Sequence, residues 1–332
     1  MKILVTGGAG FIGSAFVRKA IRDGHHVINV DKLTYSGNKN NLKEINNKQH
    51  RFVVANICNE SIIRDLMKNA EIVVHFAAES HVTRSETNPE IFYKTNLEGT
   101  RTLLKCASKM NGLKKFIHIS TDEVYGSAES IKFKEGDKLI GDSQASSAYS
   151  KSKSLADDLA LSYADRLPIV VARPTNNFGP YQYPEKALPR WTIRLIQGKQ
   201  IPVWGKGENV RDWLFVEDTI RAIDLLIERG KVGEVYNIAA NNHPEIRNID
   251  LAMLLVKYFK YDRSFIQLVP DPRPHHDFRY SLDTGKIGRL GFLPSKDSRP
   301  LIINTVEWYV QNSWWWTPLV SDAEGIYTDI KV

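Results

Sequence analysis

Three groups of residues in this 332-residue chain have types and spacings suited to chemistry. The first is Thr6-Gly7-Gly8-Ala9-Gly10-Phe11-Ile12-Gly13. It follows a short β-branched run and precedes a helical pattern, the setting in which a glycine loop cradles a dinucleotide. Gly7 permits the tight turn, Gly10 lets the backbone approach a pyrophosphate, and Gly13 lets the helix pack against the strand. The anion then meets the free N–H groups of a helix start. Asp31, 18 residues beyond Gly13, closes the next apolar run. A carboxylate there accepts from a ribose 2′-hydroxyl and repels a 2′-phosphate, which favours NAD over NADP. Lys32 beside it works mildly against that preference by tolerating the phosphate.

The second group is Tyr149 and Lys153, four residues apart and so on one face of a helix. A nearby ammonium favours the phenolate and draws the tyrosine pKa down from its reference near ~10. Such a tyrosine can take a hydroxyl proton during oxidation of the carbon that bears it. The third group is Thr121-Asp122-Glu123, where the apolar run Ile117–Ser120 gives out. Two adjacent acids can serve as proton donor and acceptor if their surroundings split their pKa values. Spacing alone leaves a solvated helix pair and a solvated polar turn as alternatives.

These residues need a scaffold to converge. Lys2–Thr6, His26–Asp31, Phe52–Asn56, Ile72–Phe76, Phe116–Ser120 and Pro168–Ala172 read as buried strands. Between them, Ser14–Asp23, Ser61–Asn69, Asn88–Asn111 and Ser146–Ala164 are long enough for helices. The alternation predicts an α/β fold, a Rossmann-like doubly wound parallel sheet with right-handed crossovers. Beyond about residue 173 proline and aromatics become frequent, and a strand–helix pair returns at Trp213–Arg229 with an apolar run at Val235–Ala240. A helix near Ile249–Phe259, a polar loop at Pro270–Asp277 and the cluster Trp314–Trp316 follow, the last expected in core or interface packing. The expected division is an NAD-binding domain, 1–173 and about 212–240, and a smaller α/β substrate domain, about 174–211 and 241–332.

Composition sets limits. With 42% hydrophobic and 25% charged residues the chain is of globular type, and no window approaches 18 consecutive apolar residues. Only two cysteines, Cys58 and Cys106, occur, without a CxxC pair, which predicts neither a disulfide framework nor a zinc site. The opening residues carry no leader pattern, so the expected compartment is the cytoplasm. Net charge is +7, but no three Lys or Arg are adjacent, which predicts no nucleic-acid stripe and suits a basic cleft for a phosphorylated substrate.

Taken together, the motifs resemble the extended short-chain dehydrogenase/reductase family acting on nucleotide sugars, over roughly residues 1 to 310, and most nearly its 4,6-dehydratase branch. The resemblance rests on the glycine loop, on Asp31-Lys32-Leu33-Thr34-Tyr35-Ser36-Gly37-Asn38, on His75-Phe76-Ala77-Ala78-Glu79-Ser80-His81-Val82, and on Thr95-Asn96. It extends to Thr121-Asp122-Glu123, Asn176-Asn177-Phe178-Gly179-Pro180-Tyr181, Pro184-Glu185-Lys186, Arg211-Asp212-Trp213, Tyr236-Asn237-Ile238 and Arg273-Pro274-His275-His276-Asp277. Related epimerases carry a serine-rich version of the triplet, and related decarboxylases keep its glutamate without the aspartate.

The resemblance implies that Gly7, Gly10, Phe11, Ile12, Gly13, Asp31, Ile57, Ala77, Ala78, Asn96 and Lys153 hold NAD. It implies that Thr121, Asp122, Glu123, Tyr149 and Lys153 do the chemistry, and that Asn176, Lys186, Arg211, Asn237, Arg273 and His276 grip the nucleotide diphosphate and sugar. The implied sequence is C4 oxidation through Tyr149, C5/C6 water loss through Glu123 and Asp122, and C6 reduction. The expected substrate is dTDP-glucose, with uridine as the other nucleobase choice, and the expected assembly is a homodimer. Three positions depart from the family pattern: Thr83 and Asn56 stand where aspartates are usual, and His275 where a glycine is. An epimerase or decarboxylase of the same fold is the nearest alternative, and a non-catalytic NAD-sensing protein a more distant one.

Overall fold

The computed structural model describes residues 1–45, 48–128, 131–141, 146–271 and 277–328. Its centre is a seven-stranded sheet of β1 (Lys2–Thr6), β2 (His26–Asp31), β3 (His50–Val54), β4 (Ile72–His75), β5 (Lys115–Ile119), β6 (Ile169–Pro174) and β7 (Glu234–Ile238). The strand order is β7-β6-β5-β4-β1-β2-β3, with every neighbour parallel. The chain runs outward from β1 to β3 and then restarts on the other side of β1 with β4. The crevice between β1 and β4 is therefore the switch point at which ligands meet a parallel sheet.

Alternation along each strand builds both faces. Ile3, Val5, Val74, Ile117 and Tyr236 pack under α1 (Phe11–Arg22) and a later helix, Val216–Arg229. Leu4, Val73, Phe116, Val171 and Val235 pack on the opposite face, with α2 (Glu60–Met67), α3 (Thr100–Ala107) and α4 (Ala148–Leu161). Phe178, Trp191, Ile201, Trp213, Leu251 and Ile302 form a separate apolar cluster. No helix among the described residues is long and apolar enough to cross a membrane.

One expectation needs correction. Asn88–Asn111 is not one helix: Asn88 leaves helical geometry, Pro89 starts a short new turn, and Tyr93–Gly99 is a π segment before α3. Proline suits a first helical position, which is why the helix restarts there. Part of the Pro270–Asp277 loop, residues 272–276, lies outside the described residues. In the tryptophan cluster Trp315 and Trp316 are buried and Trp314 is exposed. The Trp315 indole donates to Asn41 Oδ1 (2.8 Å), and Asn41 donates to the carbonyl of Ala9 (2.9 Å), so this cluster braces the glycine loop from behind.

The loop itself is close-packed. Gly7 takes φ +74°, and a Cβ there would sit 2.5 Å from the Ala77 nitrogen. A Cβ on Gly13 would lie 2.3 Å from the Gly7 carbonyl oxygen. Backbone meets backbone at that contact, so nothing can rotate aside. Gly13→Ala is expected to lower unfolding free energy by about 1–3 kcal/mol. A denaturant titration with an unchanged midpoint would show slack that the geometry denies.

Candidate active site

A cleft of about 290 Å³ opens at the carboxyl ends of β1, β2, β4, β5 and β6. Gly7, Gly10, Phe11, Ile12 and Gly13 form one wall, with Asp31, Ile57, Ala77 and Ala78 continuing it. Helix α1 begins at Phe11 with Gly10 as its N-cap, no side chain bonded to its first N–H groups and no acid in its first turn. That end carries partial positive charge and suits a phosphate. Asp31 Oδ2 accepts from the Ala9 N–H (2.9 Å) and Oδ1 from the Leu33 N–H (2.8 Å). Burial raises its carboxyl pKa while these two amides pull it down. The amides fix the carboxylate at the cleft edge and leave lone pairs for further donors.

Asn96 is placed otherwise. It is buried behind the wall, accepting from the Glu79 N–H (2.8 Å) and donating to the Glu79 carbonyl (3.1 Å) and Ser152 hydroxyl (2.9 Å). It shapes the segment after β4, and Thr95 is the member of that pair at the cleft.

The three reactive groups do converge. Ser120, Thr121, Glu123, Tyr149 and Lys153 all line the same cleft. Thr121, two residues past the end of β5, caps the turn Asp122–Val124, its hydroxyl accepting from the Glu123 N–H (3.3 Å) and donating to Asp122 Oδ1 (3.1 Å). Asp122 itself is not in the cleft wall. It is 2% exposed, and its Oδ2 has no hydrogen-bond partner. Burial, reinforced by the charge of Glu123, raises the Asp122 carboxyl well above the usual range, so it holds its proton. Glu123 Oε2 accepts from Ser150 (3.4 Å) at the cleft wall. The two acids thus occupy different environments, one protonated and enclosed, one open to a ligand.

The relation of Tyr149 to Lys153 differs from expectation. Helical spacing places them on one face of α4, but Lys153 Nζ reaches the strand end and donates to the Ile119 carbonyl (2.8 Å). Burial raises the Tyr149 phenol, the charge of Glu123 adds to this, and the Thr121 hydroxyl opposes it. The expected lowering does not occur, because an enclosed phenolate loses its hydration. Burial also brings Lys153 down to about 8, partly offset by Asp157.

On the far side, Asn176 and Lys186 line the cleft. Asn176 Oδ1 is buried without a partner, and Lys186 donates to the Ser80 carbonyl (3.0 Å). Arg211 is elsewhere, in a small cavity with Asp212, Asn242 and Tyr280, donating to the carbonyls of Val210 (2.7 Å) and Asp277 (2.9 Å). Asn237 does not reach a ligand: it is fully buried, accepts from Tyr125 OH (2.8 Å) and donates to the Phe133 carbonyl (3.1 Å). It sits on the edge strand β7 with its side chain fully buried, and a buried amide must be satisfied internally. Arg273 and His276, like His275, lie outside the described residues.

Residues 3–239 match the model of the NAD dependent epimerase/dehydratase family. The chain belongs to that family. It is 45% identical over 335 residues to a dTDP-glucose 4,6-dehydratase of Streptomyces niveus, covering 98% of this chain and 97% of the relative. It is 42% identical over 343 residues to dTDP-glucose 4,6-dehydratase 1 of Escherichia coli K12, covering 95% and 94%. A crystal structure of the dTDP-glucose 4,6-dehydratase of Streptomyces venezuelae with NAD bound superposes with a TM-score of 0.90 at 40% identity, covering 96% of this chain and 100% of that one. The UDP-glucose 4-epimerase of Thermotoga maritima gives 0.85 at 32% identity, covering 94% and 100%.

The cleft fits the family's cofactor on its own geometry. A Cβ would fill the glycine cradle, the uncapped helix start suits a diphosphate, and Asp31 suits a ribose. Family reasoning missed Glu79, Tyr183 and Glu185, all in the cleft wall. Glu185 is 2% exposed and accepts from Arg84 Nε (3.0 Å), and burial raises its carboxyl. The signal was present in Pro184-Glu185-Lys186, a carboxylate beside a lysine already chosen.

Proposed function

We propose that this protein is an NAD-dependent nucleotide-sugar 4,6-dehydratase, a lyase that converts dTDP-glucose to dTDP-4-keto-6-deoxyglucose. The observation that carries this reading over an epimerase is the pairing of an enclosed Asp122, whose carboxyl burial raises, with a cleft-lining Glu123 beside Tyr149. Epimerisation at C4 needs no second pair of proton-transfer groups, whereas water loss across C5 and C6 needs a base and an acid.

NAD, when bound, supplies the electron acceptor and donor that make the overall change redox-neutral. Tyr149, with Thr121 beside it, removes the 4-hydroxyl proton. The C4 ketone acidifies C5–H, and Glu123 takes that proton. Asp122 gives its proton to the departing C6 hydroxyl. Lys153 in its ammonium form orients the cofactor ribose and supports Tyr149. Gly7, Gly10, Phe11, Ile12, Gly13, Asp31, Ile57, Ala77 and Ala78 hold the cofactor, and Asn176 and Lys186 hold the substrate. Residues 1–173 and about 212–240 form the cofactor domain of this reading, and the remainder the substrate domain. A cytoplasmic homodimer is part of the same proposal.

Separate incubations with dTDP-glucose and UDP-glucose test the reading by product mass. A product lighter by one water from dTDP-glucose is expected, and an unchanged mass with an epimer or loss of carbon dioxide would refute it. Cofactor choice gives a second test. Losing a hydrogen bond to a charged partner costs ~1.5–3 kcal/mol, so Asp31→Ala should weaken NAD binding by roughly one to two decades. Calorimetry showing the unaltered protein to bind NADP as well as NAD would overturn the assignment of Asp31.

A further inference from the structure

One face of the sheet carries a row of polar residues where its apolar layer stops. Two residues beyond Leu4, Val73, Phe116, Val171 and Val235 come Thr6, His75, His118, Arg173 and Asn237. Because side chains alternate, all five enter the same layer, beneath α3 and α4. In the strand register Thr6 pairs with His75, His75 with His118, and Arg173 with Asn237. All five are buried.

Asp157 of α4 descends into this row. It is fully buried, one turn beyond Lys153 and two beyond Tyr149, so the three share one helix stripe. Its Oδ2 accepts from Arg173 Nε (2.8 Å), and its Oδ1 lies 3.2 Å from His118 Nε2. Arg173 Nη1 donates in turn to Tyr125 OH (2.6 Å), which donates to Asn237. Tyr125 is the C-cap of the Asp122–Val124 turn and stacks on Phe133. A chain of buried polar contacts therefore joins the helix bearing Tyr149 and Lys153 to the turn bearing the two acids.

The charges facing Asp157 are His118 from β5, Arg173 from β6, and Lys153 from its own helix, with Asp158 next in sequence and His75 beyond His118. Burial keeps both histidines toward neutrality. Arg173 and Lys153 are then the cations served by this carboxylate, and Lys153 has only a main-chain carbonyl besides.

We propose that Asp157 is a positioning residue of this site: held by Arg173 and one helical turn from Lys153 on the same buried stripe, it keeps Tyr149 and Lys153 in register with the acid turn and is the counter-charge to the Lys153 ammonium. The inference rests on the roles of Tyr149 and Lys153 proposed above. An ordinary buried ion pair would affect stability alone. This one must also set a pH limb, because a lost counter-charge lowers the proton affinity of Lys153.

The test follows water loss from dTDP-glucose as a pH profile of kcat/KM, together with NAD affinity by calorimetry over the same pH range. In Asp157→Asn the alkaline limb should move acidward by about one unit in both readouts. Misplacement of Tyr149 should lower kcat by roughly ten- to a hundredfold. Asp157→Glu should return the limb to its original pH without recovering all of kcat. Arg173→Gln frees the carboxylate for Lys153 and should move the limb the other way, so it decides the matter if Asp157→Asn does not fold. A limb unmoved in a folded Asp157→Asn or Arg173→Gln protein overturns the proposal. Near-normal turnover in Tyr149→Phe would instead remove the reading beneath it, and the affinity profiles would still report on Asp157 and Lys153.

Discussion

Tyr149→Phe is expected to lower turnover by ~10²–10⁴-fold, the usual cost of removing a positioned proton acceptor. The ring remains, so the edge contact with Phe92 at 6.4 Å and the packing of a residue 8% exposed are kept. What goes is the phenolic oxygen that receives the 4-hydroxyl proton in the proposed sequence. Burial holds the phenol above its usual range, so the proposed oxidation draws on the minor fraction of Tyr149 present as phenolate, which becomes the phenol on taking the 4-hydroxyl proton. With substrate bound, the reduced-nicotinamide absorbance should not rise even in a single turnover. A variant that turns over near the normal rate would take Tyr149 out of the oxidation step.

Asp122→Asn and Glu123→Gln should each cost ~10²–10⁴-fold in water loss, but at a different stage. Both keep side-chain size and remove proton transfer. Asn at position 122 puts a neutral amide where a protonated carboxyl already is neutral, so folding should tolerate it. Oxidation at C4 does not use these groups. Both variants should accumulate reduced-nicotinamide absorbance and, on quenching, a 4-keto sugar of a mass that retains the C6 oxygen. Absence of that absorbance with binding intact would place the acids in the oxidation step. Full activity in both would make them ordinary turn residues.

Much of the scaffold was legible because a buried parallel strand is a short β-branched run. Those runs recur at spacings that only strand–helix crossovers satisfy. Lys2–Thr6 and His26–Asp31 are observed with the bounds read from the sequence, and the other four first-half strands within two residues at either end. Asn88–Asn111 read as helical because it is long enough for a crossover helix, yet Pro89 and the π segment divide it. That division places Asn96 behind the wall, a shift of register that no local pattern reports.

The sequence by itself determined which groups could act: a glycine loop after a strand, an acid closing the next one, Tyr149 and Lys153 on one helix face, two acids at a strand end. These are properties of local spacing, and a periodic backbone preserves them. Tertiary structure alone decided which of them share a cleft and in what state. The Asp122 carboxyl sits high because surrounding elements exclude water from it, and Lys153 sits low because it is enclosed with Asp157 to offset part of the loss of hydration. Asn237, a residue of the right type for a sugar hydroxyl, is consumed by Tyr125, 112 positions away in the chain. Desolvation and hydrogen-bond satisfaction depend on every neighbour at once, and those neighbours come from strands far apart in sequence.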